Sequence, residues 1–459
     1  PIQQWFFSEN FAERDHWNQS ALVTLMEGYT PKIVEKALEL LADHHEALRV
    51  YFIDEADQTW QIAAERPTIN LDIRDFESPE ELEEKIQLAQ KELDISKPGG
   101  AWQAVYFKNA KAGDNKLLLV FHHLLIDGVS WSVLLEDLSS LIKALSAGST
   151  TKLLPRSASL PEWNEALWHL ANKRETFEQV RDWLVDNANS SGKIALEKQT
   201  EMSVNTEGNI AKVVLELSEE ETAELQKNSK SVFRSSLNEL LLATLFHTLQ
   251  EWTKQRDFRL NMEGHGREEG FGKDASRVVG WFTSFFPLTV KLENTALTGT
   301  IAAVKQALEK LPTNGLAISA AQYLSRSETL RNAIHETMKN DVLYNYLGTL
   351  DAEYGNGLEY QLISSRSPQA HRSHLLDITA YILNSRLQLQ WDFCPDLHDA
   401  SIIEDLAKQQ LGSLQDLLNG KIQADVEYSP ADFPLAELTS ESLEKVANLL
   451  AEIDVAEGL

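Results

Sequence analysis

The apolar positions of the chain change their spacing from one segment to the next, and each spacing predicts an element. In "YTPKIVEKALELLADHHEALRVYFI" Thr30 can cap a helix that begins at Pro31, and Val34, Ala37, Leu38 and Leu41 recur on one helical face. "LRVYFI" reads as the strand that follows. "LLLVF", residues 117–121, is an unbroken apolar run of strand length, which predicts a strand buried on both faces. "SWSVLLEDLSSLIKAL" returns to helical spacing, with Trp131, Leu134, Leu135, Leu138, Leu141, Ile142 and Leu145 in the stripe and Gly148 at its end. His122 and His123 thus stand at the corner between a buried strand and a helix.

The second half repeats this α+β texture. A Ser-, Thr- and Pro-rich connection at 148–161 leads into one long predicted helix over about 162–188, and "NANSSGK" breaks the chain again. "AKVVLEL" and "LQLQWDF" alternate as strands, "FRLNMEGHGRE" reads as a strand ending in a glycine turn, and Ser236 with Glu239 forms a capping-box pattern ahead of "LNELLLATLFHTLQEW". The boundary between two lobes is expected within 150–200. A tail, residues 433–459, holds one short amphipathic stretch (Leu443, Val446, Leu449, Leu450) and reads as a linker or docking segment, the linker being favoured.

Composition narrows the function. The chain has 459 residues and a formal net charge of −28, which disfavours nucleic acid or an anionic membrane as the main ligand, since phosphate binding needs basic surface. Cys394 is the single cysteine, so an intrachain disulfide or a cysteine-held zinc is excluded and a reducing cytoplasm is expected. No run of 18 apolar residues occurs. The N-terminus lacks the pattern of a signal peptide, and a start at Pro1 suggests excision from a longer polypeptide.

The candidate chemistry lies in "FHHLLIDGVSW", residues 121–131. A histidine after a buried strand can serve as base and then acid near neutral pH, and strand alternation lets only one of His122 and His123 face a given cavity. Asp127 and Gly128 form a turn, and Asp127 can orient a histidine or pair with an arginine. Ser130 sits where helix capping explains it, and the chain has no G-x-S-x-G, which argues against a serine hydrolase. Adjacent histidines with no third ligand nearby make a poor metal site. Neither a P-loop nor a dinucleotide fingerprint occurs.

"HHLLIDGVSW" resembles the H-H-x-x-x-D-G motif of the condensation-type domains of nonribosomal peptide synthetases, whose superfamily includes relatives of chloramphenicol acetyltransferase. The form D-G-x-S-W, with Trp131 after Ser130, is similar to the epimerization branch. "PIQQWFF" at 1–7, "EGHGRE" at 263–268, "RVVGWFTSFFPL" at 277–288, "LYNYLG" at 343–348 and "ADFPL" at 431–435 follow that branch in order, whereas "LPTNGLAISAAQYL" at 311–324 matches its glycine-rich segment only loosely. The resemblance implies an α+β fold of two chloramphenicol-acetyltransferase-like lobes in a V-shaped pseudo-dimer with a central channel. They would span 1–175 and 176–432, with the tail beyond.

It further implies L-to-D epimerization of the α-carbon of an aminoacyl or peptidyl thioester. His123 would be one acid/base and Glu263 its partner from the other lobe. Asn345 and Tyr346 would line the site near the thioester oxygen. Asp127 and Arg277 would form a buried ion pair that braces the corner, with His122, Gly128 and Trp131 as structural support and His265 and Arg267 as scaffolding of the turn. No intrinsic cofactor is implied: the 4′-phosphopantetheine arm comes with an upstream peptidyl carrier domain. A downstream synthetase could dock through the tail, and neither nucleic acid nor membrane is an expected partner. The rival readings are a condensation domain forming a peptide bond, against which Trp131 and "EGHGRE" speak, and a catalytically silent docking platform, against which the intact His123 and Glu263 speak.

Overall fold

The computed structural model describes residues 1–420 apart from 56–57, 70, 110–113, 156, 199, 269–273, 293–295 and 351–357. The tail at 433–459 and the "ADFPL" stretch lie outside the described residues. In chain order the strands are β1 (Trp17–Thr24), β2 (Val50–Glu55), β3 (Gln58–Ala63), β4 (Leu71–Phe76), β5 (Trp102–Asn109), β6 (Lys116–His122), β7 (Ala211–Glu216), β8 (Asp257–Gly264), β9 (Ser284–Lys291), β10 (Val342–Thr349), β11 (Tyr360–Arg366), β12 (Leu376–Leu383) and β13 (Arg386–Phe393). They form a sheet ordered β11-β1-β6-β5-β4, a second ordered β7-β13-β12-β10-β8-β9, and a β2-β3 hairpin.

The apolar run of β6 explains the first lobe. Leu117, Leu119 and Phe121 enter one core and Leu118 and Val120 enter another, so the strand is covered on both faces, as its unbroken hydrophobicity predicts. The helix Gly128–Ser146 packs its stripe, Trp131 to Ile142, into the first of these cores. In the second lobe the alternation of β13 sends Leu387, Leu389, Trp391 and Phe393 into a single large core. The helix Leu237–Thr253 covers that core, and both halves of the Ser236–Glu239 capping box are formed.

Three expectations need correction. The long helix predicted over 162–188 is two, Leu160–Asn172 and Arg174–Asp186, broken at Lys173, whose backbone is extended (φ −68, ψ 141). The break has a tertiary cause: the Asn172 amide donates to the Leu324 carbonyl and accepts from the Arg326 N–H, both at 2.9 Å, tying the helix end to a distant segment. The strand expected from "LRVYFI" begins only at Val50, after a 3-10 turn over Glu46–Arg49. Finally, packing does not divide between 175 and 176. Ala158, Trp163, Leu167 and Leu170 belong to the core of the second lobe, while Val279 packs in the first. Strand β11 crosses back to pair antiparallel with β1 from Trp17↔Arg366 to Val23↔Tyr360.

Candidate active site

Where β6 ends, the chain makes one 3-10 turn, His123–Leu125, before Asp127 caps the next helix by accepting from the Ser130 N–H at 2.8 Å. The two histidines part at this turn. His122 is fully buried; its Nε2–H donates to the Arg14 carbonyl (2.8 Å) and its Nδ1 accepts from the Leu124 N–H (3.2 Å). Both nitrogens are engaged, and burial pushes its pKa down to about 3. His374, buried in the second lobe, is likewise pushed down by burial to about 4.

Because these histidines bind protons more tightly when unfolded, the stability they contribute is full above pH 6.5 and falls as the pH drops toward 3–4, by up to about 1.4 kcal/mol per unit per group. Thermal melts between pH 7 and pH 5 are therefore expected to show a falling midpoint, with a shallower fall in His122→Gln. A midpoint constant over that range would refute the prediction.

His123 is half-buried. Its Nδ1 lies 2.8 Å from the Ile126 carbonyl, which can only accept, so Nδ1 carries the hydrogen and Nε2 the lone pair. The ring rests on Trp281, with centroids 4.3 Å apart. Burial, with the charge of Arg366 adding to it, lowers the pKa to about 4, leaving a neutral imidazole at pH 7.

Glu263 stands near the end of β8, where Met262 turns into the core and Asn261 and Glu263 face the other side. It is half-buried, and burial raises its pKa; Arg366 opposes the shift and Asp377 adds to it. Asn345 on β10 donates its amide to Glu263 Oε2 at 2.6 Å. Tyr346, expected beside it, is a correction: strand alternation turns it to the opposite face, where it packs on the core of the second lobe.

His123 and Glu263 come from different lobes, and an aromatic row joins their surroundings. Trp281 under His123 lies 6.2 Å from Trp5, and Trp5 lies 5.5 Å from Phe285, the residue paired with Glu263 across β8 and β9. Arg366, at the end of β11, acts electrostatically on both groups while pairing with Glu207 at 2.7 Å and lying over the Trp17 ring. Sequence reasoning missed Arg366, Trp281 and Gln19: Trp281 stands inside the "RVVGWFTSFFPL" stretch but was not singled out, and Arg366 and Gln19 carry no local marker beyond their residue type.

The brace at the corner also needs correction. Asp127 pairs with Arg267, not Arg277: Arg267 Nη2 lies 2.8 and 3.0 Å from the two carboxylate oxygens, and both side chains are nearly fully buried. Arg267 Nη1 donates to the Ala275 and Val278 carbonyls at 2.6 Å, and its guanidinium lies over Phe282. Asp127 also accepts from the Phe282 N–H at 3.1 Å. Gly266 makes the approach possible: its φ is +65°, and a Cβ there would lie 1.6 Å from the Phe282 carbonyl oxygen. Arg277 instead forks onto Glu136 and Asp137, each at 2.7 Å. His265 is exposed and accepts from the Arg267 N–H at 3.0 Å.

Gly128 opens the helix with room for a side chain, and Trp131 donates its indole N–H to Gln19 Oε1 at 2.9 Å. The loosely matching segment braces the same region, since Asn314 donates to Glu268 at 2.7 Å.

Among the described residues one group has donor spacing for a metal: His44, His45 and Asp137, with donor atoms within 4.8 Å of one another. The Arg277 guanidinium already sits 2.7 Å from Asp137, and a second cation on that carboxylate would meet its repulsion.

A histidine motif in one lobe, a carboxylate in the other and two sheets stitched by a crossing strand define a condensation-type domain. The family model of the condensation domain matches residues 1–429, and the chain belongs to that family. The epimerization domain from the third module of tyrocidine synthetase B superposes with a TM-score of 0.83 at 25% identity, covering 91% of this chain and 96% of that one. The X-domain from teicoplanin biosynthesis superposes with a TM-score of 0.70 at 17% identity, covering 93% and 96%. The fold is thus the expected pair of chloramphenicol-acetyltransferase-like α+β lobes.

Among curated proteins, a component of the linear gramicidin synthase of Brevibacillus parabrevis is 33% identical over 97% of this chain, and tyrocidine synthase 1 of the same organism is 28% identical over 98%. The chain spans 6% and 43% of the length of these two relatives. No helix among the described residues is long and apolar enough to cross a membrane.

Proposed function

We propose that this domain inverts the α-carbon of an aminoacyl or peptidyl thioester presented on the 4′-phosphopantetheine arm of an upstream peptidyl carrier domain, in the cytoplasm and with no cofactor of its own. The observation that carries the reading is the pair of acid–base groups brought from different lobes: His123, whose Nδ1–H bond to the Ile126 carbonyl leaves the lone pair on Nε2, and Glu263, whose pKa is raised by burial and whose Oε2 is held by Asn345. The likeness to a solved epimerization domain supports it. A downstream synthetase is the proposed second partner.

The proton balance follows. One group takes the α-hydrogen while the thioester carbonyl carries the negative charge as an enolate, and the other group delivers a proton to the opposite face. When His123 takes the α-hydrogen and a Glu263 carboxyl returns one, inversion leaves an imidazolium and a carboxylate, which exchange with solvent to reset. Asn345 holds Glu263 Oε2 as an acceptor, which leaves Oε1 as the oxygen to exchange a proton. Arg366, whose charge acts on both His123 and Glu263, would favour the negative charge of the enolate.

The test loads a carrier with an L-aminoacyl thioester, adds this chain in D2O and reads configuration and deuterium at the α-carbon. Inversion gives a mixed L/D pool carrying solvent label. An unlabelled L pool with an acylated acceptor amine would establish condensation instead, and no change of either kind would favour a silent platform.

A further inference from the structure

Gln19 sits in β1 between Phe121 of β6 and Ser364 of β11, so its backbone is held on both sides. Its amide lies in a row whose two ends have fixed chemistry. The Trp131 indole N–H can only donate, and it lies 2.9 Å from Gln19 Oε1. The Ile126 carbonyl can only accept, and it lies 2.8 Å from His123 Nδ1. Between them, Gln19 Nε2 is 2.7 Å from His123 Nε2. One assignment satisfies all three contacts: the indole donates to the amide oxygen, the amide N–H donates to Nε2, and Nδ1–H donates to the carbonyl.

We propose that Gln19 is a positioning residue for His123: anchored by Trp131, its amide keeps the imidazole neutral with the lone pair on Nε2, and it yields that nitrogen to the α-hydrogen of the arriving substrate. The proposal rests on the epimerization reading above. The row is selective because a proton on Nε2 would set one N–H against another, so the imidazolium is disfavoured until the amide is displaced. It also gives Trp131 a role. The indole, packed edge-on against Phe121 with centroids 5.3 Å apart, prevents the amide from turning over.

The other groups acting on the ring leave room for this control. Arg366 on β11 opposes a positive charge there, Asp127 favours it but is engaged by Arg267, and neighbouring His122 is neutral.

Gln19→Glu is the deciding variant, because a carboxylate of the same shape still accepts from Trp131 but would accept from a protonated Nε2 as well. Its effect is read by 15N NMR of the histidine-labelled chain, with the His123 signals identified by their loss in His123→Ala. In the wild type His123 is expected as the neutral Nδ1–H tautomer. In Gln19→Glu its titration midpoint should rise by more than one pH unit, and the acid limb of α-proton exchange should move with it. Trp131→Phe, which frees the amide to flip, should give a mixture of tautomers. An unmoved midpoint in a folded Gln19→Glu chain, or an unchanged tautomer in Trp131→Phe, would overturn the assignment. Failure of the wild type to exchange or invert any thioester would refute the epimerase reading instead, with the NMR result unaffected.

Discussion

Replacing His123 with Ala is expected to lower the rate of inversion by ~10²–10⁴-fold while the chain stays folded. The ring is half-buried at the end of a strand, and its removal loses a stack on Trp281 without exposing the core beneath β6. Glu263→Gln should lower inversion comparably. Label exchange separates the two. With one group gone, the other can still remove and return a proton on its own face, so each variant should wash deuterium into one enantiomer of the thioester without inverting it. The enantiomer that exchanges names the face served by the surviving group. Inversion at the wild-type rate in both variants would remove these two residues from the mechanism.

Arg267→Ala should cost about 3–5 kcal/mol of folding stability, because it strands the buried Asp127 carboxylate without its cation. The loss should be seen as a lower urea midpoint at an unchanged slope. Arg267→Lys should rescue little of it: one guanidinium reaches two carboxylate oxygens and two backbone carbonyls, a geometry an ammonium cannot copy. Arg277→Ala should cost less, since Arg277 and Glu136 are partly open to solvent and the buried Asp137 keeps its contact with His45 at 2.8 Å. A stability loss under about 1 kcal/mol for Arg267→Ala would show that the pair is not the brace described here.

That contrast marks where the sequence stopped being legible. His123 and Glu263 were readable because each ends a strand whose apolar pattern is plain, and motif order set their context. Asn345 and Tyr346 both came from the "LYNYLG" motif alone; strand alternation sets Asn345 beside Glu263 and turns Tyr346 to the core. The partner of Asp127 was not readable: Arg267 and Arg277 lie in adjacent motifs, and which one reaches the corner depends on the positive φ at Gly266. Gln19 in "WNQSALVT" alternates with Trp17, Ala21 and Val23, so it is a polar residue on the face that enters the core of the first lobe. Nothing local shows that it meets a histidine and an indole more than 100 residues away. The break at Lys173 and the return of β11 likewise follow from tertiary pairing, to which periodicity is blind.

The return of β11 has a practical consequence for anyone cutting this polypeptide. A fragment ending anywhere before residue 360 would strip β1 of its outer neighbour from Trp17 to Val23 and leave a row of bare amides and carbonyls. Such a border invites copies to zip together side by side, so the seven-residue ribbon near the far end of the chain also guards the near end against self-association.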